Sequence, residues 1–151
     1  MNKYELIFEA VQEALDNNEI TLEEAEALNG YAYDKYIMES AESERKQMIK
    51  FSKIEDDSKL KEVLINHASK SKFTDTQYKL WSDTYNHSDR EVIIKKLKSM
   101  DLGTCYGDGD GNYVNYSFKT KKFYFFDSEN DGRENLSHEW TIERIRKHLS
   151  K

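Results

Sequence analysis

Hydrophobic positions recur at helical spacing over the first two thirds of the chain and at strand spacing after Gly103. Residues 3–17 place Tyr4, Ile7, Phe8, Val11 and Leu15 on one helical face. "DNNE" breaks that periodicity with turn-forming asparagines. "TLEE" follows as a capping box, with Thr21 and Glu24 satisfying each other's backbone amides. The next stripe is Leu22, Ala25, Leu28, Ala32 and Tyr36, so the start of the chain reads as an antiparallel helical hairpin. Gly30 falls inside the second helix, where it can bend the helix or admit a close neighbour. The polar run "ESAESERKQ" at 39–47 either continues that helix or forms a linker.

Three more helices are predicted. "EDDS" opens one with Leu60, Val63, Leu64, His67 and Ala68 aligned. A capping box at 74–77, "TDTQ", opens a helix over 74–86 carrying Tyr78, Trp81 and Tyr85. "SDRE" at 88–91 opens another to residue 100, with Ile93, Ile94, Leu97 and Met100 inward and Lys95 and Lys98 outward. Gly103 is placed as its C-terminal stop. Beyond it, "NYVNYSF", "KKFYFF" and "LSHEW" read as three strands, with Asp131-Gly132 as a hairpin signal. Thr141 caps a last helix with Ile142, Ile145 and Leu149 inward. The expected class is therefore α+β: a helical hairpin and further helices, then a three-stranded antiparallel meander closed by a helix.

Charge changes this picture more than composition does. The net charge is −6, but residues 1–44 hold 2 Lys/Arg against 12 Asp/Glu, and residues 45–100 hold 13 against 8. Such segregation marks an interaction surface, or simply the solvated face of helices. The expected organisation is an acidic hairpin over 1–50 and a mixed unit over 51–151, the whole within reach of one compact domain at 151 residues. A single cysteine, Cys105, allows no internal disulfide. With no leader-like or long apolar segment, the expected location is intracellular, away from membranes.

Candidate chemistry is sparse. In "GDGDGN", Asp108, Asp110 and Asn112 alternate as cation ligands do. A calcium loop of the EF-hand kind then needs Gly at its sixth position and Glu at its twelfth, where this chain has Tyr113 and Lys119. The second acidic loop, 127–132, puts His138 at the twelfth position. Both loops read as turns, and two carboxylates followed by a strand do not make a phosphate cradle. His67 reads as a hydrogen-bonded core residue, while His87, His138 and His148 lack metal-ligand spacing. Cys105 reads as packing, because a nucleophile needs a histidine brought beside it. The Tyr78, Trp81, Tyr85 stripe reads as core. No catalytic residue, metal or cofactor is expected.

"SDREVIIKKLKSMDLGT" resembles the recognition helix and the step into the wing of winged-helix transcription regulators. That resemblance implies DNA contacts from Arg90, Lys95 and Lys98. Asp89 and Glu91 at the helix start, and Asp108 and Asp110 at the wing tip, oppose phosphate binding. "VQEALDNNEITLEEAEALNGYAYDKYI" resembles short helical hairpins of Gram-positive phage and plasmid proteins, and "NLSHEWTIERIRKHL" resembles segments of mobile-element proteins. These resemblances imply a small accessory protein of the anti-defence, anti-CRISPR kind. Such a protein is non-enzymatic and inhibits a basic, nucleic-acid-handling host protein, such as a CRISPR effector nuclease, through carboxylates. The expected contact residues are Glu5, Glu9, Glu13, Glu23, Glu24 and Glu26. DNA is a partner only if the chain is a regulator.

Overall fold

The computed structural model describes residues 3–83, 88–130 and 132–150. The class is α+β. In chain order the described elements are α1 (Lys3–Asp16), α2 (Leu22–Ser52), α3 (Asp57–Lys70), α4 (Asp75–Asp83), α5 (Arg90–Ser99), β1 (Leu102–Gly107), β2 (Tyr113–Ser117), β3 (Lys122–Phe126), α6 (Gly132–Asn135), β4 (Glu139–Trp140) and α7 (Ile142–Leu149). The chain forms two compact units, Met1–Glu42 and Ser43–Lys151. The division falls inside α2, earlier than residue 50, because Met48 and Phe51 pack into the core of the second unit.

The first unit is the predicted hairpin. Its turn places Asn18 at φ 58°, a left-handed conformation that asparagine tolerates. The capping box forms: Thr21 N–H donates to Glu24 Oε1 at 3.1 Å, and Glu24 N–H donates to Thr21 Oγ1 at 3.1 Å. The run at 39–47 continues α2, which is 31 residues long. A Cβ at Gly30 would meet nothing within 4 Å, so no close approach explains that glycine.

The second unit is a four-stranded antiparallel sheet of order β1-β2-β3-β4 with helices on both faces. One face buries Val114, Tyr116 and Phe123 against Phe51, Leu60, Leu64, Ile145 and Leu149. The other buries Leu102, Tyr124 and Phe126 against Phe73, Tyr78, Trp81, Ile93 and Leu97. The period of two along each strand divides these sets. Fully buried side chains such as Leu60, Leu64 and Leu97 each contribute about 1.5–3 kcal/mol.

The expectation of three strands is corrected by β1. Gly103 does not stop a helix; it lies in β1 opposite Tyr116, where a Cβ would run into the backbone carbonyl of Ala68 on α3. The absent side chain lets α3 sit directly on the strand. The register shifts between Thr104 and Tyr106, so Cys105 is an extra residue, and Cys105 and Tyr106 both enter the same core. Residues 71–73 cover the outer edge of β1: Phe73 N–H donates to Leu102 O at 2.9 Å and Thr104 N–H to Ser71 O at 3.0 Å.

Other local expectations have mixed outcomes. Thr74 and Gln77 form their capping box at 2.9 and 3.3 Å, and Thr141 accepts from Arg144 N–H at 3.2 Å. The box at 88–91 does not form. The N-cap of α5 is Asp89, whose side chain makes no cap hydrogen bond and is held by Arg133 at 2.9 Å. The segment 128–135 is not a simple hairpin turn, because Gly132–Asn135 is helical. Asp131, Tyr85 and His87 lie outside the described residues. His67 is half-buried, with its ring edge-on to Phe51 at 5.0 Å.

Candidate interaction surface

The seam of the α1–α2 hairpin is narrow. Among the described residues of this unit, Tyr4, Val11, Ala25 and Ala32 are the buried hydrophobic ones. The buried positions on α2 are alanines, and larger neighbours at the margins of the stripe are left outside. Ile7, Leu22, Leu28 and Tyr36, expected in the seam, are 40%, 62%, 48% and 41% exposed. Tyr31, Met38, Tyr33 and Ile37 are exposed too. Nine of the twelve exposed large hydrophobics among the described residues belong to this unit. At the far end from the turn, the Tyr4 and Tyr36 rings meet edge-on at 5.3 Å, and Lys3 pairs with Glu39 at 3.3 Å. A hydrogen bond from Tyr4, with help from Lys3, holds the Glu39 carboxyl below its ordinary range.

The six expected glutamates are all exposed. Glu5, Glu9 and Glu13 follow at four-residue intervals along α1, which puts them on one ridge. Glu23, Glu24 and Glu26 occupy the start of α2. Glu24 has a local duty in the capping box, so only part of its charge faces outward chemistry. Residues 1–42 hold 2 Lys/Arg, Lys3 and Lys35, against 11 Asp/Glu, a balance of −9.

In the second unit, Arg90, Lys95 and Lys98 are exposed on α5. Lys98 pairs with Asp75 at 3.2 Å. The β1–β2 tip, the counterpart of a wing, is tied down. Gly109 N–H donates to Glu44 Oε2 at 2.9 Å, and Arg45 reaches Asp110 at 3.4 Å. Burial, with Asp108 nearby, pushes the Glu44 carboxyl above its ordinary value against the opposing Gly109 N–H.

Asp108 is spent on the turn. Its Oδ1 accepts from Asp110 N–H at 2.9 Å and Asn112 N–H at 3.3 Å, and its Oδ2 accepts from the Asn112 side chain at 3.2 Å. Gly109 and Gly111 take φ 84° and 86°, the left-handed values this tight tip requires. His148 sits beneath, with Nε2 at 3.6 Å from Asp108 and Nδ1 at 2.8 Å from the Tyr106 hydroxyl. Among the described residues, no group of three His, Cys, Asp or Glu could hold a metal ion.

This cluster was not legible beforehand, because its members are brought together from α2, β1 and α7 with no shared spacing. Cys105 is buried, and burial raises its thiol pKa far above the ordinary value, which suppresses the nucleophilic thiolate. Arg144 lies over the Trp140 ring at 5.3 Å, and Phe125 stacks on Trp140 at 4.3 Å, leaving both rings half-buried at the β4 edge. No described helix is long and apolar enough to cross a membrane. No protein-family model matches the chain, and neither the curated proteins nor the solved structures compared with it give a match.

Proposed function

We propose that the chain is a non-enzymatic binding protein that engages a basic partner through its acidic hairpin. The carrying observation is charge of one sign on one unit: a balance of −9 over residues 1–42, with all six candidate glutamates exposed. Each such charge contributes little as a single contact in water. Together they attract an opposite-sign cleft, speed encounter and make association salt-dependent. A nucleic-acid-handling host protein, such as a CRISPR effector nuclease, fits this chemistry, since its channel is lined by cations that meet phosphates. The partner glutamates are Glu5, Glu9, Glu13, Glu23, Glu24 and Glu26, and the setting is the cytoplasm of a bacterial cell infected by phage or carrying a mobile element.

The test is capture from nuclease-treated bacterial lysate by the wild-type chain and by a variant carrying Glu9→Lys, Glu13→Lys, Glu23→Lys and Glu26→Lys. Glu24 is spared to keep the cap of α2. Wild type retains basic nucleic-acid-binding proteins after the nuclease step, and the folded variant loses them. Equal capture by both overturns the reading.

The regulator reading rests on the exposed Arg90 and Lys95 of α5. It is weakened by Lys98 being paired, by Asp89 at the helix start, and by a wing tip whose Asp110 lies near Arg45 and whose backbone meets Glu44. A sequence-specific duplex DNA complex at physiological salt, lost on changing Arg90 and Lys95, would favour it.

A further inference from the structure

The acidic hairpin carries a second property that charge alone does not explain. A unit of about 40 residues without disulfide or metal rarely buries enough apolar surface to stand by itself. Among its described residues, this one buries four hydrophobic side chains and leaves nine large ones exposed. The exposed set is ordered. Leu28, Tyr31 and Met38 recur at helical spacing along one side of α2, at 48%, 63% and 71% exposure. Tyr33 and Ile37, one helical turn apart, are 54% and 47% exposed and form a separate patch on the opposite side of α2. Lys35 Nζ lies over the Tyr31 ring at 5.5 Å, a cation–π contact on the Leu28, Tyr31 and Met38 side. Contiguous exposed apolar surface rimmed by polar groups marks a place of association.

Charge selects the occupant. A second copy would set a −9 unit against another −9 unit. An anionic bilayer would be repelled in the same way, and the unit has only Lys3 and Lys35 to offer it. An amphipathic helix with an apolar stripe and Lys/Arg flanks satisfies both properties, the stripe on α2 and the flanks toward the glutamates. We infer that the exposed apolar stripe of α2, with the hairpin's carboxylates around it, is a docking site for a basic amphipathic helix of a partner protein. This rests on the acidic-hairpin reading and adds what seats the partner: carboxylates draw it in, and Leu28, Tyr31 and Met38 hold it.

The test uses the full chain and two 18-residue peptides of the same leucine and lysine content. One is arranged with a helical apolar stripe, and the other is scrambled so that no stripe forms. Fluorescence anisotropy reads binding, and sedimentation reads the oligomeric state. Wild type binds the striped peptide at least tenfold tighter than the scrambled one. A variant with Leu28→Gln, Tyr31→Gln and Met38→Gln, which keeps good helix formers, loses that preference while retaining the weak, salt-sensitive binding of the scrambled peptide. Should the triple variant unfold by circular dichroism, Met38→Gln alone lowers the preference. Equal binding of the two peptides by wild type overturns the inference and leaves the charge-based reading standing. Binding of neither overturns both. A wild-type dimer that the glutamine variant converts to monomer assigns the stripe to a second copy and overturns the inference.

Discussion

The Tyr106 hydroxyl lies 2.8 Å from Nδ1 of His148, joining β1 to α7 across 42 residues of sequence. The rings also stack, with centroids 5.7 Å apart. Burial pushes the Tyr106 pKa far above its ordinary value, so the hydroxyl stays protonated. Nε2 faces the Asp108 carboxylate at 3.6 Å, and the tautomer protonated at Nε2 leaves Nδ1 to accept from the Tyr106 hydroxyl. The pair ties the second-unit core to the turn of the β1–β2 hairpin. Tyr106→Phe keeps the packing and removes the donor. It is expected to lower stability by about 1 kcal/mol, roughly 2–4 °C in Tm for a chain of this size. Urea unfolding followed by circular dichroism measures it, and an unchanged midpoint would show that the hydrogen bond contributes nothing net.

Two glycines separate close packing from plain helix propensity. At Gly103 a methyl group meets the Ala68 carbonyl, so Gly103→Ala pushes α3 off β1 and disturbs the core around Leu60 and Leu64. A loss above about 3 kcal/mol, or failure to fold, is expected. At Gly30 a methyl group has open space in the interior of α2, so Gly30→Ala raises stability by about 0.5–1 kcal/mol. Thermal melts of the two variants should move in opposite directions. A shared direction would mean that one of the two packing descriptions is wrong.

Asn115 lies at the centre of β2 with no exposed surface, and neither its side-chain oxygen nor its nitrogen has a hydrogen-bond partner. Such a group costs about 1–3 kcal/mol. Asn115→Val removes both orphans and suits a strand. An increase of at least about 1 kcal/mol in unfolding free energy is expected, measured in urea. A destabilised Asn115→Val variant would mean that the amide has a partner, such as a buried water.

Glu44 gives stability a pH dependence of known sign. Its folded pKa is raised, chiefly by burial, so folding favours the protonated form. The stabilisation that a raised pKa supplies is complete below the unfolded value of about 4.3 and is lost as pH rises through the folded value. Glu44→Gln keeps an oxygen for Gly109 N–H and removes the charge. Its Tm should exceed that of wild type near neutral pH, and the gap should close toward about pH 4. A gap that widens on acidification would contradict the burial assignment.

The amino-acid pattern was sufficient wherever the determining interactions are local. Thr21 with Glu24, Thr74 with Gln77, and Thr141 with Arg144 act over three residues, so those helix starts were legible, as was the α+β order. The acidic bias of the hairpin was equally plain, because charge is counted without coordinates. β1 was not legible, because its character comes from elsewhere. Gly103 reads locally as a helix stop, and only the approach of Ala68 from α3 makes it a strand residue. That Asp108 belongs to a turn was legible from its flanking glycines, but which amides its oxygens accept from, and that His148 lies beside it, is seen only in the folded tip. Exposure of Leu28 and Leu22 was also a tertiary decision. Helical periodicity places apolar residues on a stripe, but the width of the seam is set by the neighbouring helix. Here the buried α2 positions among the described residues of this unit are the small Ala25 and Ala32, and the flanks of the stripe remain open.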